Sequence, residues 1–352
     1  MRKQVTLIGE GADDAGGVFD ETIALMCIEL EDGTLPFLLP TPNARNKCGY
    51  NTDRFVLNPG CSSKTDMDYY RFMGVMFGVA IRTTKPLSLH ISPMVWKLIA
   101  GIEITMDDLE EVDSAFMQAM RGIWKLSEDI TPSTFSEMIP ISSYEAYNMA
   151  GQLAPVVTGG SNIPLTYSNR KEYVEKAIQF RLHELDRQAL AVREGMSLVI
   201  PVPLLSLTTG ASLETSVCGE RELDIQILKR VAKYRDCSAN DMLVKWLWDT
   251  LENFTNDEKI LFLRFTSGRS RLPSRVQDVT QRLLVIKTMK NKNALPTAQT
   301  CFFHLKLPNY TSQEILAARL RYAINNCRSI DTDSYMLPRN TEGGASTSDD
   351  EY

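Results

Sequence analysis

Cys301 stands where a polar stretch, Lys287 to Thr300, gives way to a run whose alternation predicts a strand from Cys301 to Leu307, with Phe303, Leu305 and Leu307 facing inward. A thiol at such a rim is accessible, as a nucleophile must be. An arbitrary cysteine is more often a small buried apolar residue, so position alone leaves both readings open. His304 follows three residues later, and residues three apart on a strand point to opposite faces, which argues against a Cys301–His304 hydrolase dyad. A Cys-x-x-His half-site for zinc lacks a second half, because His90 and His183 have no cysteine at ligand spacing. No metal or cofactor is expected. The chemistry that fits needs a thiolate without a dedicated base beside it, and thiol exchange between thioesters is such a reaction.

These residues must be positioned by the elements around them. Val5 to Ile8 reads as a short strand before Gly9-Glu10-Gly11 and Gly16-Gly17, but Asp14 replaces the third glycine of a dinucleotide fingerprint and no strand-helix alternation follows. Helical periodicity covers Val18 to Glu31, Asp68 to Ile81 and Ser114 to Leu126, the last with Phe116, Met120, Ile123 and Trp124 on one face. Glu172 to Val192 reads as one long helix, with Ser168 and Asn169 as candidate caps. Between them, residues 127 to 167 carry short strand-like pieces and loops. After a polar break at Cys218-Gly219-Glu220-Arg221, helices are expected over Leu228 to Tyr234 and Met242 to Phe254, and a loop over Gly268 to Pro273. A strand over Leu283 to Ile286 comes next, and Thr311 with Glu314 forms a capping box for a helix through Leu316, Leu320 and Ile324.

With 352 residues, 43% apolar and 23% charged, the chain fits about two folded domains. Its longest mainly apolar run, Phe72 to Ile81, is too short to span a bilayer, so membrane insertion is not expected. Seven cysteines without regular spacing argue against a disulfide framework and for a reducing, cytoplasmic compartment. The net charge of -6 is uneven: residues 222–338 carry 18 Lys/Arg against 12 Asp/Glu, and the tail from 339 on has 1 against 4. The basic residues lack the aromatic interleaving of a stacking surface, so nucleic acid is not an expected partner.

The run Leu295-Pro296-Thr297-Ala298-Gln299-Thr300-Cys301-Phe302-Phe303-His304-Leu305-Lys306-Leu307-Pro308-Asn309-Tyr310 resembles the signature of the HECT ubiquitin ligases, with Cys301 at the ubiquitin-accepting position. Collinear matches include Asp14-Ala15-Gly16-Gly17-Val18, Asn58-Pro59, Asn169-Arg170-Lys171-Glu172-Tyr173 and Phe265-Thr266-Ser267-Gly268-Arg269-Ser270-Arg271-Leu272-Pro273. Ala323 to Asp331 looks most like the giant HERC subclass. The resemblance implies an α+β, bilobal fold: a larger, mainly helical N-lobe (1–218), a hinge (219–221: Gly219, Glu220, Arg221) and a smaller α/β C-lobe (222–338), before an acidic disordered tail (339–352).

It implies ubiquitin, a ubiquitin-conjugating enzyme and a protein substrate as partners. The conjugating enzyme would dock on a subdomain of about 100–166 plus the next helix, with Phe116, Met120, Leu126, Phe135 and Tyr173 at the groove. Those apolar residues are equally what a subdomain core would contain. Gln299 stands where the family commonly has histidine and Phe303 where it commonly has asparagine. These departures support the alternative of a scaffold that docks a conjugating enzyme without accepting ubiquitin. Asp331 or Asp333 would be candidates to help deprotonate the substrate lysine, with ordinary solvated carboxylates as the other reading. The abrupt start at Val5 suggests a C-terminal fragment of a longer protein.

Overall fold

Two helices, Lys64–Thr83 and Asp186–Ser197, form the spine of the first core, and two glycines set how closely they approach. A Cβ on Gly74 would lie 1.9 Å from the Val192 carbonyl oxygen, and one on Gly195 would lie 1.8 Å from that of Arg71. Only glycine permits this backbone-to-backbone contact. A capping box, Ser63 with Asp66, starts the first of these helices, and Thr84 ends it at φ 52°. Phe77 and Trp96 then meet with their rings tilted by 38° and centroids 5.3 Å apart within the core the helices cover.

The computed structural model describes residues 17–127, 130–269, 271–273, 276–279, 281–289 and 292–326. Val5 to Ile8, the glycine pattern up to Gly16, Asp331, Asp333 and the 339–352 tail lie outside them. The chain is α+β. Among the described residues many helices accompany three small sheets: β1 (Leu38–Pro40) pairs antiparallel with β2 (Phe55–Leu57), and β3 (Glu145–Tyr147) antiparallel with β4 (Leu153–Pro155). The third contains β5 (Lys233–Arg235), β6 (Leu284–Thr288), β7 (Thr297–Gln299) and β8 (His304–Pro308) in the order β5-β6-β8-β7, with β7 alone antiparallel.

Three separate apolar cores organise these elements. The first runs from Cys27 to Cys218, and the second from Leu223 to Ile324. The third is a satellite of the first, formed by Met120, Ile123, Phe135, Tyr144, Ala146, Leu165, Tyr173, Val174 and Ala177.

Several expectations are corrected. The long helix over Glu172 to Val192 is two helices, Arg170–His183 and Asp186–Ser197. The break falls at Glu184, whose buried carboxylate accepts from Met149 N at 3.0 Å and from Arg181 Nε. Burial raises the Glu184 pKa and outweighs its Arg181 ion pair, so the junction holds a costly group that tertiary bonds must satisfy. Asn169 does not cap through its side chain; its Oδ1 accepts from Thr166 N instead. The helix expected over Leu228 to Tyr234 is Ile225–Val231, because Lys233 N donates to Leu283 O and draws the chain into β5. The last helix starts at Gln313, with Ser312 Oγ rather than Thr311 accepting from Ile315 N.

Candidate active site

The stretch expected as a polar loop and then a strand from Cys301 is built differently. Thr297–Gln299 is an edge strand, Thr300–Phe302 a single 3-10 turn containing Cys301, and the next strand begins only at His304. Phe303 N closes the turn on Thr300 O at 3.2 Å, and Phe303 then adopts φ 54°. A bulky residue rarely accepts that left-handed conformation. Its ring is fully buried in the second core, and its carbonyl accepts from Leu284 N at 2.9 Å, so packing and the sheet ladder hold the reversal. The inward setting expected of Phe303, Leu305 and Leu307 is observed, although only the last two lie on a strand.

With Cys301 off the strand, the parity argument that separated it from His304 loses its premise. The structure gives His304 other neighbours. Its ring stacks on Phe302 at 5.6 Å, and its Nδ1 lies 3.4 Å from Oε1 of Gln299, its partner across the β7–β8 ladder. Desolvation first, then the positive charges of Arg235 and Lys306, lower its pKa. The turn packs against the Asn256–Ser267 helix of its own unit and against Gly17–Glu31 of the first.

Four other cysteines are poor nucleophiles. Burial pushes the Cys27 thiol up to about 12 and also raises Cys61, Cys218 and Cys237. None of the four supplies thiolate near neutral pH. Among the described residues no group of three or more His, Cys, Asp or Glu side chains is placed to hold a metal ion.

The helix bearing Phe116 and Met120, Ser114–Trp124, is anchored from its first turn. Asp113 accepts from Phe116 N at 3.1 Å and binds the buried Arg181 at 2.8 Å, while Asn43 Oδ1 accepts from Ser114 N. Met120, Phe135 and Tyr173 lie inside the satellite core, at 4%, 2% and 0% exposure. The Tyr173 hydroxyl donates to Glu145 O at 2.8 Å, and burial pushes its pKa up to about 12. Phe116 and Leu126 are half-buried at the edge of that core, Phe116 beneath the Arg181 guanidinium at 4.5 Å. The structure thus divides the five expected groove residues into three core residues and two at the rim.

At the junction between the first and second cores, Gly219 has φ 70° and ψ -171°, and a Cβ there would lie 2.4 Å from Leu272 O. Glu220 O accepts from Arg271 at 3.3 Å, and Arg221 pairs with Asp53. Sequence reasoning gave Arg271 no role of its own, placing it in a loop and in a family-matching run. Buried with its charge, it has its pKa lowered by desolvation first and then by the like charges of Arg221 and Arg54, against the opposing pull of Glu214. Arg54 and Glu214, which pair beside it, were missed as well. One arginine among many, without a local pattern, gives no signal of a junction.

The model of the HECT-domain (ubiquitin-transferase) family matches residues 18–332, which include both main cores and the Cys301 turn. The chain belongs to this family. Among curated relatives, E3 ubiquitin-protein ligase HERC2 of Mus musculus is 43% identical over 337 residues, covering 94% of this chain and 7% of that protein, and HERC2 of Homo sapiens gives the same figures. E3 ubiquitin-protein ligase pub1 of Schizosaccharomyces pombe is 29% identical over 334 residues, 92% of this chain and 42% of its own length. This HECT chain therefore spans a small part of the HERC2 relatives it matches. Among its described residues, no helix is long and apolar enough to cross a membrane.

Proposed function

We propose that this HECT chain is the ubiquitin-transferring unit of a ubiquitin ligase, with Cys301 as the acceptor. The Cys301 thiolate attacks the thioester carbonyl of a charged conjugating enzyme; the C–S bond to that enzyme breaks and its thiolate leaves. A substrate lysine amine then attacks the new thioester carbonyl, an isopeptide C–N bond forms, and Cys301 leaves as the thiolate. The observation that carries the reading is the family match extending unbroken across both main cores and the Cys301 turn. The raised thiols at Cys27, Cys61, Cys218 and Cys237 support the choice of cysteine. Ligase relatives over more than nine-tenths of the chain favour an active transferase over a docking scaffold.

In this reading the units are an N-lobe to Cys218, a hinge at Gly219, Glu220 and Arg221, and a C-lobe beyond it. The conjugating enzyme docks on the satellite core, where Phe116 and Leu126 meet it and Met120, Phe135 and Tyr173 form the floor beneath. The thiols of the five described free cysteines fit a reducing, cytoplasmic setting. The test is a gel of charged conjugating enzyme with this protein, run with and without reductant. Wild type should give a reductant-sensitive adduct, Cys301→Ser an oxyester that survives reductant, and Cys301→Ala none. A reductant-sensitive adduct persisting in Cys301→Ala would overturn the assignment.

A further inference from the structure

The four-stranded sheet presents two faces of opposite character. One carries Val285, Leu305 and Leu307 into the second core. On the other, the register aligns Lys233, Leu284 and His304 in one transverse row and Arg235, Ile286 and Lys306 in the next. Leu284 is half-buried and Ile286 buried, both outside the second core, so this face has an apolar floor edged by three cations. Two other surface cations of the same unit are paired, Lys229 with Glu252 and Arg321 with Glu258. Lys233, Arg235 and Lys306 have no carboxylate partner among the described residues, and the first two are exposed. Asp236 follows β5 at φ 57°, off the ladder.

The first row leads directly to the acceptor turn. His304 faces Gln299 across the ladder, and Thr300–Phe302 joins the two strands at that end. Desolvation is the main cause of the lowered His304 pKa, and the charges of Arg235 and Lys306 add to it, so both cations are felt in the row beside the turn. A strip with apolar floor and cationic edges is complementary to an extended segment carrying carboxylates.

We propose that this sheet face receives an acidic, extended segment of the protein substrate, and thereby favours transfer from Cys301 to lysines that have Asp or Glu near them in sequence. The inference rests on Cys301 being the acceptor. Charge complementarity argues for the occupant, since the face offers three cations and no carboxylate on its ladder rows. The acidic tail of this chain, with 4 Asp/Glu against 1 Lys/Arg, is the competing occupant.

The experiment preloads the whole chain with ubiquitin and follows discharge, after the conjugating enzyme is quenched, to two peptides with one lysine each, flanked by glutamates or by glutamines. Discharge to the glutamate peptide should be about fivefold faster, the range two exposed ion pairs supply, and the advantage should shrink with added salt. Arg235→Glu with Lys306→Glu should abolish or invert the preference while leaving the thioester yield unchanged. Equal discharge to both peptides, with a normal thioester, would overturn the inference alone. So would a fall in loading in the double variant, which would assign the face to the ubiquitin or conjugating-enzyme step. Faster discharge to the glutamine peptide when Glu342, Asp349, Asp350 and Glu351 are neutralised to amides would assign the face to the tail. Failure to form any thioester would overturn the acceptor reading, and this inference with it.

Discussion

His304 shows how much a single residue's setting depends on structure beyond its own stretch of sequence. Because desolvation and two nearby cations hold its folded pKa below the ordinary 6.5, the unfolded chain binds its proton more readily than the folded one. Above about pH 6.5 both states are neutral there and the term vanishes. As pH falls from that value, the unfolded state gains a proton first and stability declines, until the folded imidazole also titrates. An NMR titration should place the His304 midpoint below 6.5, and Arg235→Gln with Lys306→Gln should move it upward. A midpoint at or above 6.5 in wild type would contradict the assigned environment. Only the Lys306 share of this was legible in the sequence, two residues along the expected strand and on the same side as His304. Arg235 reaches it through two ladder steps, β5 to β6 to β8, and spacing along the chain carries no record of that. Cys301 was singled out because its neighbours form a motif, but its 3-10 turn was not legible. A left-handed phenylalanine goes against local preference and is held by tertiary packing and the sheet ladder.

The Ser114–Trp124 helix poses the question of docking face or core, and burial separates its residues by experiment. Met120 and Tyr173 are interior, so Met120→Asp would place a charge in the satellite core, and Tyr173→Ala would remove a buried aromatic at about 3–5 kcal/mol. Both should lower the unfolding midpoint, and their loading defects would not report docking. Leu126 at the rim is half-buried, so Leu126→Asp should leave melting within a few degrees of wild type while slowing loading of Cys301 several-fold. Normal loading by a folded Leu126→Asp chain would place the docking surface elsewhere. At this scale the sequence was informative where periodicity was strong: Ser114 to Leu126 was expected and Ser114–Trp124 is found, and Met242 to Phe254 was expected where Met242–Glu252 is found. It failed where long-range bonds override the pattern, as at Glu184, whose partner Met149 is 35 residues away. The helix Asn256–Ser267 was missed although Thr255 and Glu258 form a capping box that a local search would detect.

For the whole molecule, the proposed mechanism requires Cys301 to meet first a conjugating enzyme docked on the satellite core and then a lysine, although the acceptor turn and the docking core belong to units with separate apolar cores. The covalent link between those units is short and polar, although the Cys301 turn also packs against the Gly17–Glu31 helix. Gly219 at positive φ lies against Leu272 O, Arg271 bonds Glu220 O, and Arg221 reaches back to Asp53. Rotation between units is absorbed by a few element-terminal residues of this sort. Glu220→Pro with Arg221→Pro fixes φ near -65° at both positions and restricts the preceding residue, so fewer relative orientations remain. Because the same change removes the Arg221 pair with Asp53, Asp53→Asn serves as the control that breaks the pair without stiffening the chain. If motion at this junction limits the reaction, the double-proline chain should load and discharge several-fold more slowly while binding the conjugating enzyme as wild type does. Asp53→Asn, with its two exposed partners, should differ little from wild type in either step. Unaltered loading and discharge in a folded double-proline chain would locate the pivot outside Gly219 to Arg221. An equal slowing in Asp53→Asn would instead mean that the ion pair, and not backbone freedom, sets the productive orientation.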